Sequence, residues 1–410
     1  MKKNFPLALF TAGSALVILF FIWLWGWNGF IPDFSRSMLA GFFAEKLSAE
    51  KIKGQYSLAD AGRGGQKVKI LLVPGHDENS PGASFHDLRE VDMTTELGEN
   101  LHALFKDDSH YDAVLLRGKD GYNTNFIEYF KRERENIARF RGEKRKSMAE
   151  YLSRGFVEKV DGAPHADTTD ETSLRLYATN RWADEIGASV VINFHFNDYP
   201  RVRSNTPGEY SGFAVYVPDS EYGNARASRP IADKIFSRLL KYYAKSTYPK
   251  ESAGVVPDQE LISLGANDTL VAASVLIEYG YIYEPQFKYP ETRKIIMRDL
   301  ALKTYLGIQD FFGANSLAAK DNVFLPYLWN EDLREGDEGK ASVLALQAAL
   351  LGAGFYPPRG KSKDDCPLSG MFRGCTRGAL TAFQEKYGIS ADGSVAGPKT
   401  REILNKLFGA

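Results

Sequence analysis

A histidine and a glutamate flank the loop that follows the first strong apolar run after the amino terminus. The run Lys67–Val73 is bounded by Pro74-Gly75 and predicts a buried strand, so His76 lies on the turn at its carboxyl end. Glu90 directly precedes apolar residues at helical spacing and therefore opens a helix. Open α/β sheets bind their ligands at the carboxyl ends of strands. Because imidazole and carboxylate are both metal-ligand types, this stretch predicts a metal site.

Two further ionisable residues lie near the ends of later strands. Residues 188–197, ASVVINFHFN, alternate in character, so His195 shares a polar face with Asn193 and Asn197. Glu278 lies near the end of another β-rich run, Ala273–Gly280. If both runs are strands of one parallel sheet, His195 and Glu278 lie at its carboxyl edge.

These residues together predict a hydrolytic zinc site. Two imidazoles and one carboxylate, from His76, Glu90 and His195, suit one Zn²⁺ per chain and leave a position for water or substrate. Such a site also needs a proton-transfer group beside the water, and Glu278 is the candidate. His86, four residues before Glu90, is an alternative to His76 as a ligand.

The elements that must position these residues alternate between strands and helices. The alternation predicts an α/β domain, residues 67–313, with a mostly parallel central sheet flanked by helices. The other predicted strands are Ala113–Leu116 and Gly212–Val217, and the main predicted helices are Leu174–Ile186, Ala225–Tyr243 and Pro290–Phe312. A linker, residues 314–339, then precedes a small three-helix domain, residues 340–410. Its predicted helices are Lys340–Gly352, Cys375–Tyr387 and Gly397–Phe408.

The amino terminus has the character of a membrane segment. Lys2 and Lys3 precede the charge-free run Phe5–Trp27, and about 23 residues at ~1.5 Å each give a helix of ~34 Å, enough to cross a bilayer. The alternative is a cleaved signal peptide, whose apolar region is shorter and ends in a small-x-small site. We expect a signal anchor over residues 1–30, a stalk over residues 31–66, and a single-pass protein whose later domains lie outside the cytoplasm.

Composition argues against a nucleic-acid-binding protein and favours a location outside the cytoplasm. The net charge of −1 lacks the basic excess of a nucleic-acid binder. The two cysteines, Cys366 and Cys375, are close in sequence, and in an exported protein such a pair predicts a disulfide across a short loop. The alternative is a pair of free thiols in a cytosolic protein.

Four ordered motifs resemble the zinc-dependent N-acetylmuramoyl-L-alanine amidases. The segment VPGHDENSPGA at residues 73–83, followed by REVDM at residues 89–93, is similar to the opening motif of that family, with its Pro-Gly-His and Glu ligands. Leu115-Leu116-Arg117 resembles the Thr-Arg element of the family. Residues 188–197 resemble the strand that carries its second histidine ligand, and VLIEYGYI at residues 275–282 resembles the strand that carries its catalytic glutamate. The resemblance covers roughly Lys67–Phe312, apart from an insertion at residues 121–169.

The carboxyl-terminal domain carries a second resemblance. Leu346-Gln347 and the later segment TRGALTAFQ, residues 376–384, are similar to the helical peptidoglycan-binding domain. The two resemblances imply hydrolysis of the amide between N-acetylmuramic acid and L-alanine, with zinc on His76, Glu90 and His195 and Glu278 as general base. They also imply peptidoglycan as the partner. The alternatives are an inactive peptidoglycan-binding scaffold and a zinc peptidase that cuts within the stem peptide.

The insertion has two interpretations. Its segment Lys131–Lys146 is strongly basic and compatible with a helix, which is typical of a solvated helical face. Some amidases carry an inserted helix that covers the zinc until a partner moves it. On that resemblance, residues 121–169 are a regulatory or wall-facing insertion on which a protein activator acts.

Overall fold

The computed structural model describes residues 47–60, 67–165, 168–314, 321–390 and 392–409 of the 410-residue chain. The predicted anchor and the predicted stalk up to residue 46 lie outside the described residues. Within the described ranges, no helix combines the length and the apolar character that a bilayer-spanning segment needs. The anchor and the single-pass topology therefore stay predictions.

The described residues form an α/β domain followed by short carboxyl-terminal helices. The strands are β1 (Val68–Pro74), β2 (Ser84–Phe85), β3 (Leu88–Arg89), β4 (Tyr111–Leu115), β5 (Arg117–Gly118), β6 (Gly121–Tyr122), β7 (Val190–Asn197), β8 (Ala214–Pro218), β9 (Val255–Asp258), β10 (Ala273–Tyr281), β11 (Leu333–Arg334) and β12 (Val395–Ala396). The α-helices are α1 (Ala49–Asp60), α2 (Glu90–Lys106), α3 (Thr124–Ser153), α4 (Asp170–Glu185), α5 (Ala225–Leu240), α6 (Pro290–Phe312), α7 (Ala341–Gly352), α8 (Gly374–Lys386) and α9 (Pro398–Phe408).

The central sheet has six strands in the order β4-β1-β7-β10-β8-β9. The first four are parallel to one another, β8 is antiparallel to β10, and β9 is parallel to β8. The prediction of a mostly parallel sheet flanked by helices is confirmed. Because β1, β7 and β10 are adjacent and parallel, their carboxyl ends meet at one edge of the sheet.

Each face of the sheet is covered by helices, and the side chains of β7 alternate between the two faces. Val190, Ile192 and Phe194 are buried on the face that packs against α2, α5 and α6. Val191 is buried on the opposite face, beneath apolar side chains of α3 and α4. The polar residues of β7 share that second face, so His195 reaches the carboxyl edge from the side of α3 and α4.

Capping residues set the ends of the helices. The side chain of Thr169 accepts a hydrogen bond from the backbone N–H of Thr172 at the start of α4, and Gly187 beyond its end has a positive φ of 70°. Helix α3 is longer than the predicted basic segment because Asn123 caps it upstream and Phe126 already packs into the core. The helix of the insertion is thus a structural layer over one face of the sheet.

Residues 49–60, predicted as part of the stalk, instead form α1 and pack against the domain. Ile52 is fully buried, and the Ser189 hydroxyl donates a hydrogen bond of 2.6 Å to Oε1 of Gln55. The ring of Tyr56 stacks on Phe312 at the end of α6, with centroids 4.6 Å apart. The sequence of this helix is mainly polar, so it gave no clear apolar pattern for the face that is buried.

The three predicted carboxyl-terminal helices are present as α7, α8 and α9. Thr376 and Thr400 near the starts of α8 and α9 accept hydrogen bonds from glutamines of the preceding helices: Gln347 donates to Thr376 (2.9 Å) and Gln384 donates to Thr400 (3.0 Å). Each glutamine also accepts backbone N–H bonds from the Gly-containing turn between the helices. Strand β11, which lies in the predicted linker, pairs with β12. This part of the linker belongs to the carboxyl-terminal fold.

The carboxyl-terminal helices are packed against the α/β domain. Glycines allow close contact at two points: an added Cβ on Gly339 would lie 2.8 Å from the ring of Tyr289, and one on Gly370 would lie 2.4 Å from Thr292. The loop before Cys366 also reaches the domain, since Asp364 hydrogen-bonds the Ser211 hydroxyl. These contacts join the beginning of α6 and the loop before β8 to the small domain.

Cys366 and Cys375 form the predicted disulfide, and their Cα atoms are 5.8 Å apart. We expect the double substitution Cys366→Ser, Cys375→Ser to lower the free energy of unfolding by about 2–3 kcal/mol, because the short loop is no longer closed in the unfolded chain. Urea unfolding with and without reductant checks this. Reductant should destabilise the wild type but not the double variant; equal stability of the two oxidised proteins would contradict the prediction.

Candidate metal centre and catalytic site

His76 is held on a strained turn at the carboxyl end of β1. Its φ of +66° is unusual for a residue with a side chain, and such conformations persist only where neighbours fix them. The carbonyl of Gly75 accepts hydrogen bonds from the Thr94 hydroxyl (2.8 Å) and from Nη2 of buried Arg117 (2.9 Å). This clamp fixes the backbone that carries His76.

The imidazole of His76 is oriented by a backbone carbonyl. Its Nδ1 lies 3.2 Å from the carbonyl oxygen of Ser80, and its Nε2 lies 3.1 Å from Oε2 of Glu90. A ring nitrogen that donates to a carbonyl leaves the other nitrogen available as a ligand, which is the usual arrangement behind metal-bound histidine. Burial disfavours the charged ring, but the hydrogen bond and charge of Glu90 outweigh it and raise the pKa of His76.

Glu90 is the first residue of α2, and its side chain is only 4% exposed. Oε2 accepts the backbone N–H of Ala83 (2.9 Å), and Oε1 accepts that of Phe196 (3.0 Å). Burial opposes ionisation, yet hydrogen bonds from His195 and His76 and their charges outweigh it, so the pKa of Glu90 is far below its usual value. Glu90 is therefore an ionised carboxylate.

His195 completes the cluster from the neighbouring strand. Its Nδ1 lies 3.1 Å from Oε1 of Glu90, and its ring meets that of His76 edge to face with centroids 5.0 Å apart. Burial lowers the pKa of His195, so the ring favours the neutral form that binds metals. One nitrogen or oxygen from each of His76, Glu90 and His195 lies within 4.8 Å of the others. We call these three residues the triad.

Two glycines make room for the triad. A Cβ on Gly75 would lie 2.3 Å from Cε1 of His195, inside the contact limit. A Cβ on Gly82, whose φ is +76°, would lie 2.4 Å from Oε2 of Glu90 and 2.7 Å from the ring of His76. Gly75 and Gly82, at the two ends of the loop, are therefore steric requirements of the site.

Glu278 lies beside the triad on β10. It is the register partner of His195 on the adjacent parallel strand. Its Oε2 is enclosed and has no hydrogen-bond partner among the described residues. Burial, followed by the negative charges of Glu90 and Glu251, raises the pKa of Glu278 well above its usual value. A carboxylate that binds a proton this readily suits proton transfer.

The structure thus brings together all four predicted residues and leaves His86 outside. His86 is exposed, has a positive φ of 51°, and packs edge to face against Phe85. Sequence reasoning did not find the clamp of Thr94 and Arg117 on Gly75. A signal was present, because Thr94 is a polar residue on the apolar stripe of α2 and is fully buried.

The donor set fits a zinc ion. Zn²⁺ accepts imidazole nitrogen and carboxylate oxygen, and catalytic zinc sites commonly use three protein ligands of these types. Here the ionised carboxylate of Glu90 and the neutral imidazole of His195 lie beside the imidazole of His76, whose Nδ1 faces the carbonyl of Ser80. Among the described residues, no other group of three such side chains lies as close.

Comparison with known proteins assigns the chain to a family. The model of the family described as N-acetylmuramoyl-L-alanine amidase (Amidase_3) matches residues 70–310, more than half of the chain. The chain belongs to the N-acetylmuramoyl-L-alanine amidase family. A peptidoglycan binding domain, PG_binding_1, matches residues 339–404. Both resemblances seen in the sequence are confirmed.

Individual relatives are distant. The chain is 24% identical over 287 residues to "Probable N-acetylmuramoyl-L-alanine amidase AmiB" of Haemophilus influenzae, covering 67% of this chain and 59% of that one. It is 38% identical over 82 residues to the zinc D-Ala-D-Ala carboxypeptidase of Streptomyces albus G, covering 20% of this chain and 28% of that one. The chain therefore spans less than two thirds of the length of either relative.

Solved amidase structures resemble part of this family member. Ami1 of Mycobacterium smegmatis is 17% identical with a TM-score of 0.38, covering 61% of this chain and 100% of that one. The amidase AmiC2 of Nostoc punctiforme is 17% identical with a TM-score of 0.37, covering 61% of this chain and 99% of that one.

Because Gly75 lies against the ring of His195, we predict that a methyl group added at residue 75 weakens metal binding. We expect Gly75→Ala to lower zinc affinity at least about tenfold, because the new Cβ displaces the His195 ring. Gly142→Ala in α3 is the control, since its Cβ would meet no atom within 4 Å. Metal content after gel filtration distinguishes the two; full zinc content in the Gly75 variant would refute the steric argument.

The choice of histidine ligand can be tested separately. We expect His76→Ala to lower zinc affinity by more than about 100-fold, since a side chain bound directly to the metal contributes more than the groups that orient it. His86→Ala should keep the zinc of the wild type, because His86 lies outside the triad. Zinc titration with a chromophoric chelator measures both. The reverse pattern would assign the ligand to His86.

Proposed function

We propose that this chain is a zinc-dependent N-acetylmuramoyl-L-alanine amidase. Its substrate is the amide between N-acetylmuramic acid and L-alanine of the peptidoglycan stem peptide. One observation carries the proposal: the triad converges at the sheet edge where the unpartnered Oε2 of Glu278 is enclosed on the next strand. The family match over residues 70–310 supports the same reaction.

His76, Glu90 and His195 would hold one Zn²⁺ per chain. A bound zinc supplies Lewis-acid chemistry, which polarises the scissile carbonyl and makes water easier to deprotonate. The Gly75 clamp and the Ser80 carbonyl keep the His76 ring in place for this role, and two backbone N–H groups do the same for Glu90. The ligand set is thus preorganised by the fold.

Glu278 would move the proton. The water oxygen forms a bond to the carbonyl carbon of the lactyl group while Glu278 accepts one water proton. The carbon–nitrogen bond then breaks, and Glu278 gives its proton to the leaving nitrogen of L-alanine. The products are a lactyl carboxylic acid, which loses its remaining water-derived proton to solvent, and a free peptide amine. The raised proton affinity of Glu278 favours the first transfer.

The partner and the compartment follow as proposals. The peptidoglycan binding domain at residues 339–404 supports peptidoglycan as partner and would raise the local concentration of substrate. The disulfide supports an oxidising compartment outside the cytoplasm. The apolar run Phe5–Trp27 supports attachment to the cell membrane as a single-pass protein.

An activator acting on residues 121–169 is also a proposal. The hydroxyl of Tyr122, on the first strand of the insertion, donates to Oδ2 of Asp77 at 2.9 Å, and Arg175 binds the same carboxylate. Asp77 follows His76 directly, so the insertion is linked to the turn that carries one triad residue. This linkage supports a route by which a protein that displaces the insertion would alter the site.

Glu278→Gln should retain zinc but lower the rate of amide hydrolysis by about 100- to 10,000-fold, because the amide cannot accept the proton. Purified peptidoglycan is digested by the wild type, by this variant and by the exposed control Glu260→Gln, and the products are identified by mass spectrometry. Free peptides that begin at L-alanine, released by the wild type and the control alone, are the expected result.

Other outcomes separate the alternatives. Fragments cut within the stem peptide would show a zinc peptidase instead of an amidase. Binding to peptidoglycan without any product from the zinc-loaded wild type would show an inactive scaffold.

A further inference from the structure

A cleft opens beside the triad in the loop that follows β7. The cleft is shallow and open to solvent, offers about 470 Å³, and is lined by Asp198, Tyr199, Pro200, Arg201 and Ser204. The lining begins three residues after His195. Arg201 in this lining donates to the carbonyl of Ser84, and the N–H of the preceding residue, Ala83, donates to Oε2 of Glu90, so the cleft lies next to the triad.

Arg201 is fixed in this cleft. Its Nη1 donates to the carbonyl of Ser204 (3.0 Å), and its Nη2 donates to the carbonyl of Ser84 (2.9 Å) and to Oδ2 of Asp198 (3.0 Å). Its guanidinium carbon lies 5.3 Å from the ring centre of Phe85, and the side chain is 14% exposed. The guanidinium is thus held in one position before any substrate arrives.

The contacts of Arg201 leave part of its hydrogen-bonding capacity unused. A guanidinium carries five N–H donors. Three of them are used by Ser204, Ser84 and Asp198, so the Nε–H and one Nη1–H have no partner among the described residues. The carboxylate of Asp198 is occupied by Arg201 and by the N–H of Tyr199 (2.9 Å), so it helps to fix the guanidinium.

The two sides of the scissile amide differ in charge. On the sugar side, the lactyl carboxyl group is consumed in the amide itself, and the sugar is neutral. On the peptide side, each acidic residue and the chain end carry free carboxylates. A preorganised guanidinium with unused N–H donors prefers a carboxylate. The cleft chemistry therefore matches the peptide side.

We propose that this cleft holds the peptide portion of the substrate and that Arg201 binds a free carboxylate of that peptide. The proposal rests on the proposed amidase function and names the part of the substrate that the loop after β7 recognises. Tyr199 forms one wall, packed edge to face against Tyr210 with centroids 4.5 Å apart. Arg201 is thus a specificity-determining residue of the reaction.

The test compares two substrates that differ only in charge. One is N-acetylmuramoyl-L-alanyl-D-glutamate with both carboxylates free, and the other carries carboxamides in their place. In the zinc-loaded wild type we expect KM to be roughly 10- to 100-fold lower for the free acid, as the loss of a charged hydrogen bond predicts. Arg201→Gln should remove this preference by raising KM for the acid, with kcat and zinc content little changed.

The matched control is Arg203→Gln. Arg203 lies on the same loop with an exposed side chain, so this variant should keep the preference for the acid. Equal KM values for the two substrates in the wild type would overturn the proposal. An equal loss on both substrates in the Arg201 variant would also overturn it, since that pattern indicates a damaged loop.

A binding measurement separates this proposal from the amidase function. Calorimetry follows the peptide L-alanyl-D-glutamate and its diamide binding to the metal-free, full-length Glu278→Gln protein and to the same protein with Arg201→Gln added. Tighter binding of the acid, lost with Arg201, supports the subsite even if no variant hydrolyses peptidoglycan. Equal binding of acid and diamide overturns the subsite, whatever the hydrolysis assay shows.

Discussion

The structure around the triad, at the carboxyl edge of the sheet, depends on one buried negative charge. The ionised carboxylate of Glu90 lies almost out of solvent, where an uncompensated charge costs of order several kcal/mol. Two imidazoles and two backbone N–H groups from separate parts of the chain compensate it. The loop after β1, the start of α2 and the end of β7 must all converge for this to happen. The parallel order of β1 and β7 is what allows it.

The convergence requires unusual backbone and close packing. His76 adopts a left-handed conformation, and Gly75 and Gly82 lie against imidazole and carboxylate atoms with no space for a side chain. The buried guanidinium of Arg117 and the hydroxyl of Thr94 hold the Gly75 carbonyl and so resist relaxation of the turn. The strain is thus offset by hydrogen bonds from Thr94 on α2 and from Arg117 on β5.

The regular elements and the four central side chains could be predicted from the sequence. Strands β1, β7 and β10 carry apolar runs ended by Gly or polar residues, and α6 begins at Pro290 and ends before Gly313, as sequence signals indicate. Strand β9 was not predicted, because Val255–Asp258 is short and contains a proline. Helix α1 was missed because its composition is mainly polar.

Features that depend on tertiary contacts could not be predicted. The roles of Arg117 and Arg201 arise from carbonyl oxygens distant in sequence, at Gly75 and Ser84, and loop residues carry no periodic signal that would reveal such pairs. The partners of Thr376 and Thr400 are likewise distant in sequence, because each hydroxyl accepts a hydrogen bond from a glutamine of the preceding helix. Pattern reasoning locates elements; it does not locate the bonds that join them.

The small domain packs closely on the start of α6, with Gly339 against Tyr289 and Gly370 against Thr292. This packing limits which bonds of a polymer the protein could cut. A recognition domain on a loose tether samples every bond within the radius of its linker. Here the small domain is seated on α6, so its offset from the triad is set by the fold. Cleavage would then occur at a constant displacement along a glycan strand from the point of attachment. The proposed amidase would then select bonds by their distance from the point of attachment as well as by their chemical identity.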